Sequence, residues 1–253
     1  AMKTCFKRKT ALCVFAAAIL LLAALPVSGA EGDDGKTLLE RSSKALGEDR
    51  PWTTRVERGL HIAWDTPGWG TLRADYTRAV KRPDKLKIDQ DNSAYDHPFY
   101  RTYYYNEGDA WYMVNLNTGR SDGVTTNLKN FLDRIDGIAY YLAACDTFLA
   151  AGEAPGDSLL AGAGLLRAGC VHDGDTILWD VSAETRLPAR RLERKARRVY
   201  ILEDYRDIEG HLVPFHVTVY AEGRKAEEFV WNSVAFDETL GDEIFEENRP
   251  PAQ

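Results

Sequence analysis

Residues 70–115 read GTLRADYTRAVKRPDKLKIDQDNSAYDHPFYRTYYYNEGDAWYMVN, and this pattern predicts four short antiparallel strands joined by turns. Apolar and polar residues alternate from Leu72 to Val80, which is the period of a strand with one buried face. Pro83 has no backbone N–H to donate and is predicted to end that strand. Residues 106–109, Asn-Glu-Gly-Asp, are predicted to form a hairpin turn between two aromatic strands. The segment therefore predicts a strongly curved sheet with one apolar face.

The flanking segments extend this sheet and add helices. A first helix is predicted to run to Leu46, with Asp34 as its N-cap and Gly47 just past its end. Apolar residues spaced three and four apart predict a second helix from Asn127 to Ala151, inside an insertion of about residues 127–163. With about ten strands around it, this chain is expected to be of the α+β class and mainly antiparallel β. A helix inserted midway along a long sheet is expected to lie in the sheet's concavity, where both apolar faces become buried.

The N-terminal thirty residues have the pattern of a secretory signal peptide. Basic residues precede an apolar run from Ala11 to Leu25, and small residues lead up to Ala30. The pattern predicts cleavage after Ala30, which would leave residues 31–253 as a single domain. An uncleaved anchor is the alternative, although the run is shorter than the ~20 residues of a membrane span.

Charge and cysteine content restrict the partners. The chain has a net charge of −7, and removal of residues 1–30 leaves 28 basic and 39 acidic residues, a net charge of −11. Such an acidic chain is not expected to bind nucleic acid in general, because that function needs a basic surface. The cysteines that remain, Cys145 and Cys170, are candidates for a disulfide in an oxidising compartment. Two separate buried thiols are the alternative.

Motifs for catalysis, metal binding and cofactor binding are missing. The sequence has no Gly-x-Ser-x-Gly, Ser-x-x-Lys or His-Glu-x-x-His motif, no phosphate loop and no dinucleotide fingerprint. We therefore predict a protein that is not an enzyme and needs no cofactor or metal. An enzyme remains an alternative hypothesis because Glu203 and Asp204 could lie near His216.

A basic segment contrasts with the acidic chain as a whole. One interpretation is a surface patch for an anionic head group or an acidic partner. The other is a polar strand face and hairpin tip, where each charge pairs with a neighbouring acid and contributes little. The candidate patch consists of Arg190, Arg191, Arg194, Arg197 and Arg198.

A large set of aromatic and aliphatic strand residues predicts a ligand cavity. An open sheet wrapped around a helix leaves gaps that side chains need not fill, and such gaps favour apolar ligands. Ordinary core packing is the alternative for most of these residues. The candidate cavity residues are Leu60, Ile62, Trp64, Leu72, Tyr76, Leu86, Ile88, Tyr104, Trp111, Met113, Trp179, Phe229 and Trp231. The candidate lid residues are Leu128, Phe131, Leu132, Ile135 and Leu142.

Four segments in fixed order carry a resemblance to a known family. They read KRPDKLKI at residues 81–88, YNEGDAW at 105–111, LPAR at 187–190 and DYRDIEGHLVP at 204–214. In this order, and over about residues 34 to 245, the chain resembles the periplasmic LolA/LolB-like superfamily, in particular its outer-membrane lipoprotein-sorting-protein-like members.

The resemblance implies a fold and a function. The expected fold is a half-open, curved β-barrel with helices against its concave face. The expected function is non-enzymatic binding of lipid or acylated protein in the periplasm, with acyl chains held in the apolar cavity and at most peripheral contact with a membrane. The alternative on the same fold is a cell-envelope sensor or protein-interaction module that contacts another envelope protein through the arginine patch or residues 237–253. No client-handling residue can be matched one-to-one.

Overall fold

The computed structural model describes residues 34–66, 70–95, 99–115, 117–155 and 164–251. The predicted signal peptide, residues 1–30, and the end of the insertion, residues 156–163, lie outside this part. Of the helices in the described part, none has the length and apolar character needed to cross a membrane.

The described strands form a sheet of thirteen in the order β6-β5-β4-β3-β2-β1-β13-β12-β11-β10-β9-β8-β7, with every neighbouring pair antiparallel. The prediction of a mainly antiparallel, half-open sheet with helices is confirmed, with more strands than the ten expected. The strands are β1 (Thr54–Thr66), β2 (Gly70–Lys81), β3 (Lys85–Asp91), β4 (Tyr100–Asn106), β5 (Asp109–Val114), β6 (Asn117–Gly119), β7 (Thr147–Glu153), β8 (Leu165–His172), β9 (Asp175–Ser182), β10 (Pro188–Glu193), β11 (Arg198–Ile208), β12 (His211–Ala221) and β13 (Arg224–Phe236).

The first helix, α1 (Gly35–Leu46), begins and ends where the capping residues predict. The Asp34 carboxylate accepts a hydrogen bond from the backbone N–H of Thr37 at 2.6 Å. Gly47 follows the last turn with φ = 73°, a left-handed conformation that favours glycine. Leu38 and Leu39 are fully buried, and α1 packs against a later helix, α3 (Ile138–Ala144), and strands β7 and β8, so α1 covers one end of the sheet.

The predicted single helix from Asn127 to Ala151 is wrong in extent. The chain forms α2 (Asp122–Asp133) and α3 (Ile138–Ala144), and the following residues are the edge strand β7. Gly137, with φ = 60°, interrupts the helix. The helical spacing of apolar residues continues across this break, so periodicity alone does not detect it.

Two apolar clusters anchor the helices to the concave face. Leu128 and Leu132 of α2 are buried in a cluster that contains Leu86 and Ile88 of β3. A second cluster joins α1 and α3 to strands β8 and β9, with Tyr141 of α3 at its centre. The helices therefore cover the two ends of the concave face and leave its middle beneath their junction.

The C-terminal segment, residues 237–251, crosses the convex face, and we call it the C-terminal strap. Phe245 is fully buried against Val56 and Ala79, which lie on β1 and β2. The indole N–H of Trp111 donates a hydrogen bond to the backbone carbonyl of Glu247 at 3.0 Å. Part of the sheet is therefore covered on both faces, by helices on one side and by the strap on the other.

Candidate ligand cavity

A cavity of about 670 Å³ lies between the concave face and the α2–α3 junction, residues 134–137. Strands β1, β2 and β9 to β13 contribute to its wall. This volume falls within the range of about 300–1,000 Å³ found for small-molecule sites. Side chains therefore leave space where the sheet and the helices meet.

The structure brings six of the predicted residues to this cavity. Four come from the candidate cavity residues, namely Tyr76, Trp179, Phe229 and Trp231, and two from the candidate lid residues, namely Phe131 and Ile135. The rings of Phe229 and Trp231 stack with their centroids 5.8 Å apart. These six residues, five aromatic and one aliphatic, form an apolar part of the wall.

The other predicted residues do not line the cavity. Leu86 and Ile88 of β3 pack with Leu128 and Leu132 of α2 in the first apolar cluster, and Leu142 of α3 packs against the second cluster. Leu72 shares the face of Tyr76 on β2 but lies four residues before it, near the start of the strand. The strand registers place five of the remaining six on the convex face: Leu60, Ile62, Tyr104, Trp111 and Met113. Trp64 lies within the irregular end of β1, with Nζ of Lys225 4.3 Å from its ring centroid.

The C-terminal strap explains why two of the convex residues are buried although they do not face the cavity. Tyr104 and Trp111 stack at 5.1 Å and hydrogen-bond to Asn248 and Glu247 of the strap. Successive strand residues alternate between faces, so Tyr104 and its neighbour Tyr105 cannot both face the cavity. The strap covers apolar residues on the convex face as well, and the sequence pattern does not distinguish the two faces.

An ion cluster forms a polar part of the wall that the sequence analysis did not predict. It lies where β1 begins and the antiparallel strand β2 ends. Glu57 is fully buried, and its carboxylate lies 2.6 Å from Nη2 of Arg55 and also pairs with Arg78. Burial alone would raise the pKa of Glu57, but the charges of Arg55 and Arg78 outweigh it and lower that pKa. The sequence did contain an indication of this cluster, because Arg55, Glu57 and His61 lie on the face of β1 opposite the apolar residues that we predicted to face inward.

A second ion cluster lies on β10 and β11. Nη2 of Arg191 is 3.2 Å from the Glu193 carboxylate, which also accepts a hydrogen bond from Tyr200 at 3.4 Å. The guanidinium of Arg191 stacks on the Tyr200 ring at 4.0 Å. Arg198 pairs in register with Glu193 and also lines the cavity. The cavity wall is therefore amphipathic, whereas we predicted an apolar one.

Glu48 holds the helical junction above the cavity. Its two carboxylate oxygens accept hydrogen bonds from the backbone N–H groups of Ile138, at 3.1 Å, and Ala139, at 2.9 Å. Burial raises the pKa of Glu48 to about 7, although these hydrogen bonds and one from Ser43 oppose the rise. The start of α3 therefore rests on one carboxyl group that titrates near neutrality.

The five arginines of the candidate patch do not form one surface. Arg190 is 3% exposed and pairs with Asp180 at 2.5 Å on the convex face, whereas Arg191 faces the cavity. Arg194 and Arg197 belong to the exposed turn between β10 and β11, and Arg198 is at the start of β11. The strand alternation separates the side chains that the sequence places next to each other.

The remaining candidate groups lie outside the cavity wall. Cys145 and Cys170 form a disulfide, with their Cα atoms 6.1 Å apart, in the core beside α3. His216 lies 2.5 Å from the Glu228 carboxylate and 3.4 Å from that of Glu203, and none of the three lines the cavity. In the described part of the chain no group of three or more His, Cys, Asp and Glu residues is arranged to hold a metal ion.

Sequence comparisons give no relatives: no family model matches the chain, and a comparison with curated proteins finds no match. Structural comparison finds similar folds. A DUF1329 family protein from Desulfovibrio piger aligns with a TM-score of 0.58 and 16% identity, over 84% of this chain and 96% of that one.

Two further solved structures share the fold. A putative outer membrane lipoprotein-sorting protein domain from Vibrio parahaemolyticus aligns with a TM-score of 0.53 and 10% identity, over 85% of this chain and 98% of that one. A LolA superfamily protein from Nitrosomonas europaea aligns with a TM-score of 0.51 and 12% identity, over the same shares of the two chains. At such low identity these likenesses establish the fold alone. The fold that the resemblance implied is thus confirmed, and this chain has a LolA-like fold.

Proposed function

We propose that this protein is a non-enzymatic carrier that holds the acyl chain of a lipid or of an acylated protein in its cavity. The observation that carries the proposal is the space of about 670 Å³ that side chains leave between the concave face and the α2–α3 junction. Aromatic and aliphatic residues, among them Phe131, Ile135 and Trp231, line part of that space. Each buried CH₂ contributes about 0.8 kcal/mol, so a sixteen-carbon chain offers on the order of 10 kcal/mol before the costs of binding.

The α2–α3 junction would act as the lid. Glu48 holds the start of α3, Arg82 pairs with Asp136, and Ile135 and Ile138 pack into the two apolar clusters on either side. Gly137 sits between the two helices with φ = 60°. A chain entering beneath Phe131 and Ile135 would move α2 relative to α3 about this glycine.

The proposal includes a place in the cell. The signal-peptide pattern of residues 1–30 supports export to the periplasm with removal after Ala30. The mature carrier would be soluble there and meet membranes only at their surface. The mass and N-terminal sequence of the protein purified from cells test this part, and an intact leader would contradict it.

The test of ligand binding is extraction of lipids from the natively purified protein, followed by mass spectrometry and titration with a fluorescent fatty-acyl probe. Val217 lines the cavity, and Val217→Trp fills part of it. Val230 lies on the neighbouring strand, pointing outward and 36% exposed, so Val230→Trp is the matched control.

The expected result is bound lipid in the wild type and in the control, and a loss of about tenfold or more in probe affinity for Val217→Trp, because a few buried CH₂ groups are excluded. A wild-type protein that is free of lipid and does not bind the probe would refute the proposal. Equal affinity for Val217→Trp and Val230→Trp would place the bound probe elsewhere and would refute it too.

A further inference from the structure

The two ion clusters of the cavity wall differ in their charge balance. In the first, Arg55 and Arg78 share the single carboxylate of Glu57. In the second, Arg191 and Arg198 flank the single carboxylate of Glu193. Arginine stays protonated in proteins, so Arg55 and Arg78 carry one positive charge more than Glu57 balances. In the second cluster Glu227 adds a further carboxylate charge that acts on Arg198.

The other carboxylates of the wall do not supply the missing negative charge. Asp136 pairs with Arg82 and acts more weakly on Arg55, so Arg55, Arg78 and Arg82 still hold three positive charges against the two carboxylates of Glu57 and Asp136. Glu227 lies 3.3 Å from His61. Glu48 is engaged by backbone N–H groups at the start of α3. The excess at Arg55 and Arg78 is thus local to the floor of the cavity.

Both arginines of the first cluster keep unused hydrogen-bonding capacity. Each guanidinium has five N–H donors, and the buried Nε atoms of Arg55 and Arg78 have no partner in the described structure. Nε of Arg191 in the second cluster is in the same state. These Nε atoms are closed off from the cavity, so an entering anion would be attracted by the unbalanced charge of the guanidinium groups and not by these atoms themselves.

Apolar surface adjoins the first cluster directly. The guanidinium of Arg78 lies 4.7 Å from the Phe131 ring centroid and 5.3 Å from that of Trp231. A molecule whose acidic end meets Arg55 and Arg78 would therefore lay its apolar part along these rings and beneath α2. The arrangement suits an amphiphile, not a free ion.

We propose that the cavity selects amphiphiles with an acidic head group, a carboxylate or a phosphate, and that Arg55 and Arg78 bind that head group. This inference rests on the proposed function and specifies its ligand class. Charge-assisted hydrogen bonds to arginine are the strong ones, so the acidic head should set affinity together with the length of the chain.

The test compares ligands with the same chain and different heads, by displacement of the neutral probe N-phenylnaphthylamine from the full-length protein. Palmitate and palmitoyl lysophosphatidic acid represent the two acidic heads, and monopalmitoylglycerol is the neutral one. We expect at least one of the two acids to bind more tightly than the neutral ligand, by a factor of about ten or more. The tighter acid identifies the head group as carboxylate or phosphate.

Substitutions that change the cluster's charge make the test specific. Arg55→Gln leaves one arginine with Glu57 and should abolish the preference for acids. The double variant Arg55→Gln/Glu57→Gln restores the excess charge and should recover the preference, while Glu57→Gln alone should increase it. Arg58→Gln is the matched control, because Arg58 lies on the same strand but pairs with Glu238 on the convex face.

The outcomes separate the two proposals. If no ligand of any head group displaces the probe or binds, the carrier function itself fails. If ligands bind but acids show no preference, or if the preference is the same in Arg55→Gln, Glu57→Gln and wild type, the carrier stands and the head-group assignment is overturned. Thermal unfolding identifies any variant that fails to fold. The preference for acidic over neutral ligands is then compared among the charge variants that do fold.

Discussion

Replacing Glu48 by glutamine should change how the stability of this protein depends on pH. The Glu48 carboxylate accepts hydrogen bonds from Ile138 and Ala139 at the start of α3, and burial raises its pKa to about 7. The ordinary value for a glutamate is 4.5. The folded chain therefore holds this proton more tightly than the unfolded chain does.

The sign of the effect follows from this difference. A carboxyl group whose folded pKa is raised stabilises the fold fully below its unfolded pKa, and that contribution is lost as pH rises through the folded pKa. At about 1.4 kcal/mol for each pH unit, a rise from 4.5 to about 7 corresponds to roughly 3 kcal/mol. Between about pH 5 and about pH 8 the loss is roughly 2.5 kcal/mol.

The assay is urea unfolding of the wild type and of Glu48→Gln at several pH values in this interval. Glutamine keeps the shape of the side chain and one acceptor oxygen but does not titrate. The difference in unfolding free energy between the two proteins should therefore shift by roughly 2.5 kcal/mol, with the variant relatively more stable at high pH. Glu40→Gln, which changes an exposed carboxylate on α1, is the control and should follow the wild type. Parallel curves for wild type and Glu48→Gln would refute the reasoning.

Two further substitutions and the reduction of the disulfide test other parts of the structure. Phe245→Ala should lower the unfolding free energy by about 3–5 kcal/mol, because its fully buried ring anchors the C-terminal strap; a loss below about 1 kcal/mol in denaturant unfolding would contradict that anchoring. Reduction of the Cys145–Cys170 disulfide, 25 residues apart in sequence, should cost about 3.5 kcal/mol by loop entropy, and unchanged thermal unfolding in reductant would argue against it. Gly137→Ala should destabilise more than Gly174→Ala, since both glycines have positive φ but only at Gly137 would a Cβ atom meet a carboxylate oxygen, at 2.3 Å; equal losses in thermal unfolding would exclude that contact as a cause.

The predictions from sequence succeeded where the interactions are local. Asp34 and Gly47 mark the ends of α1 because capping involves only neighbouring backbone groups. The predictions from sequence failed at Gly137, where one residue divides the helix although the helical spacing of apolar residues continues on both sides.

The cavity shows why the rest required the tertiary structure. The alternation on β1 correctly groups Leu60 with Ile62 and Glu57 with His61, but the sequence does not say which group faces inward. We predicted the apolar group, whereas the structure turns Glu57 toward the cavity and balances its burial with Arg55 and Arg78 from two strands.

The sequence by itself determined an antiparallel, curved sheet with a capped first helix, because strand alternation and helix caps depend on residues close together in the chain. Only the tertiary structure decided which face of each strand encloses the cavity. The physical reason is that both faces of β1 to β5 carry buried apolar residues, since α2 covers one and the C-terminal strap, more than a hundred residues away in sequence, covers the other. Hydrophobicity identifies burial, but the partner that causes the burial is set by packing over long sequence distances.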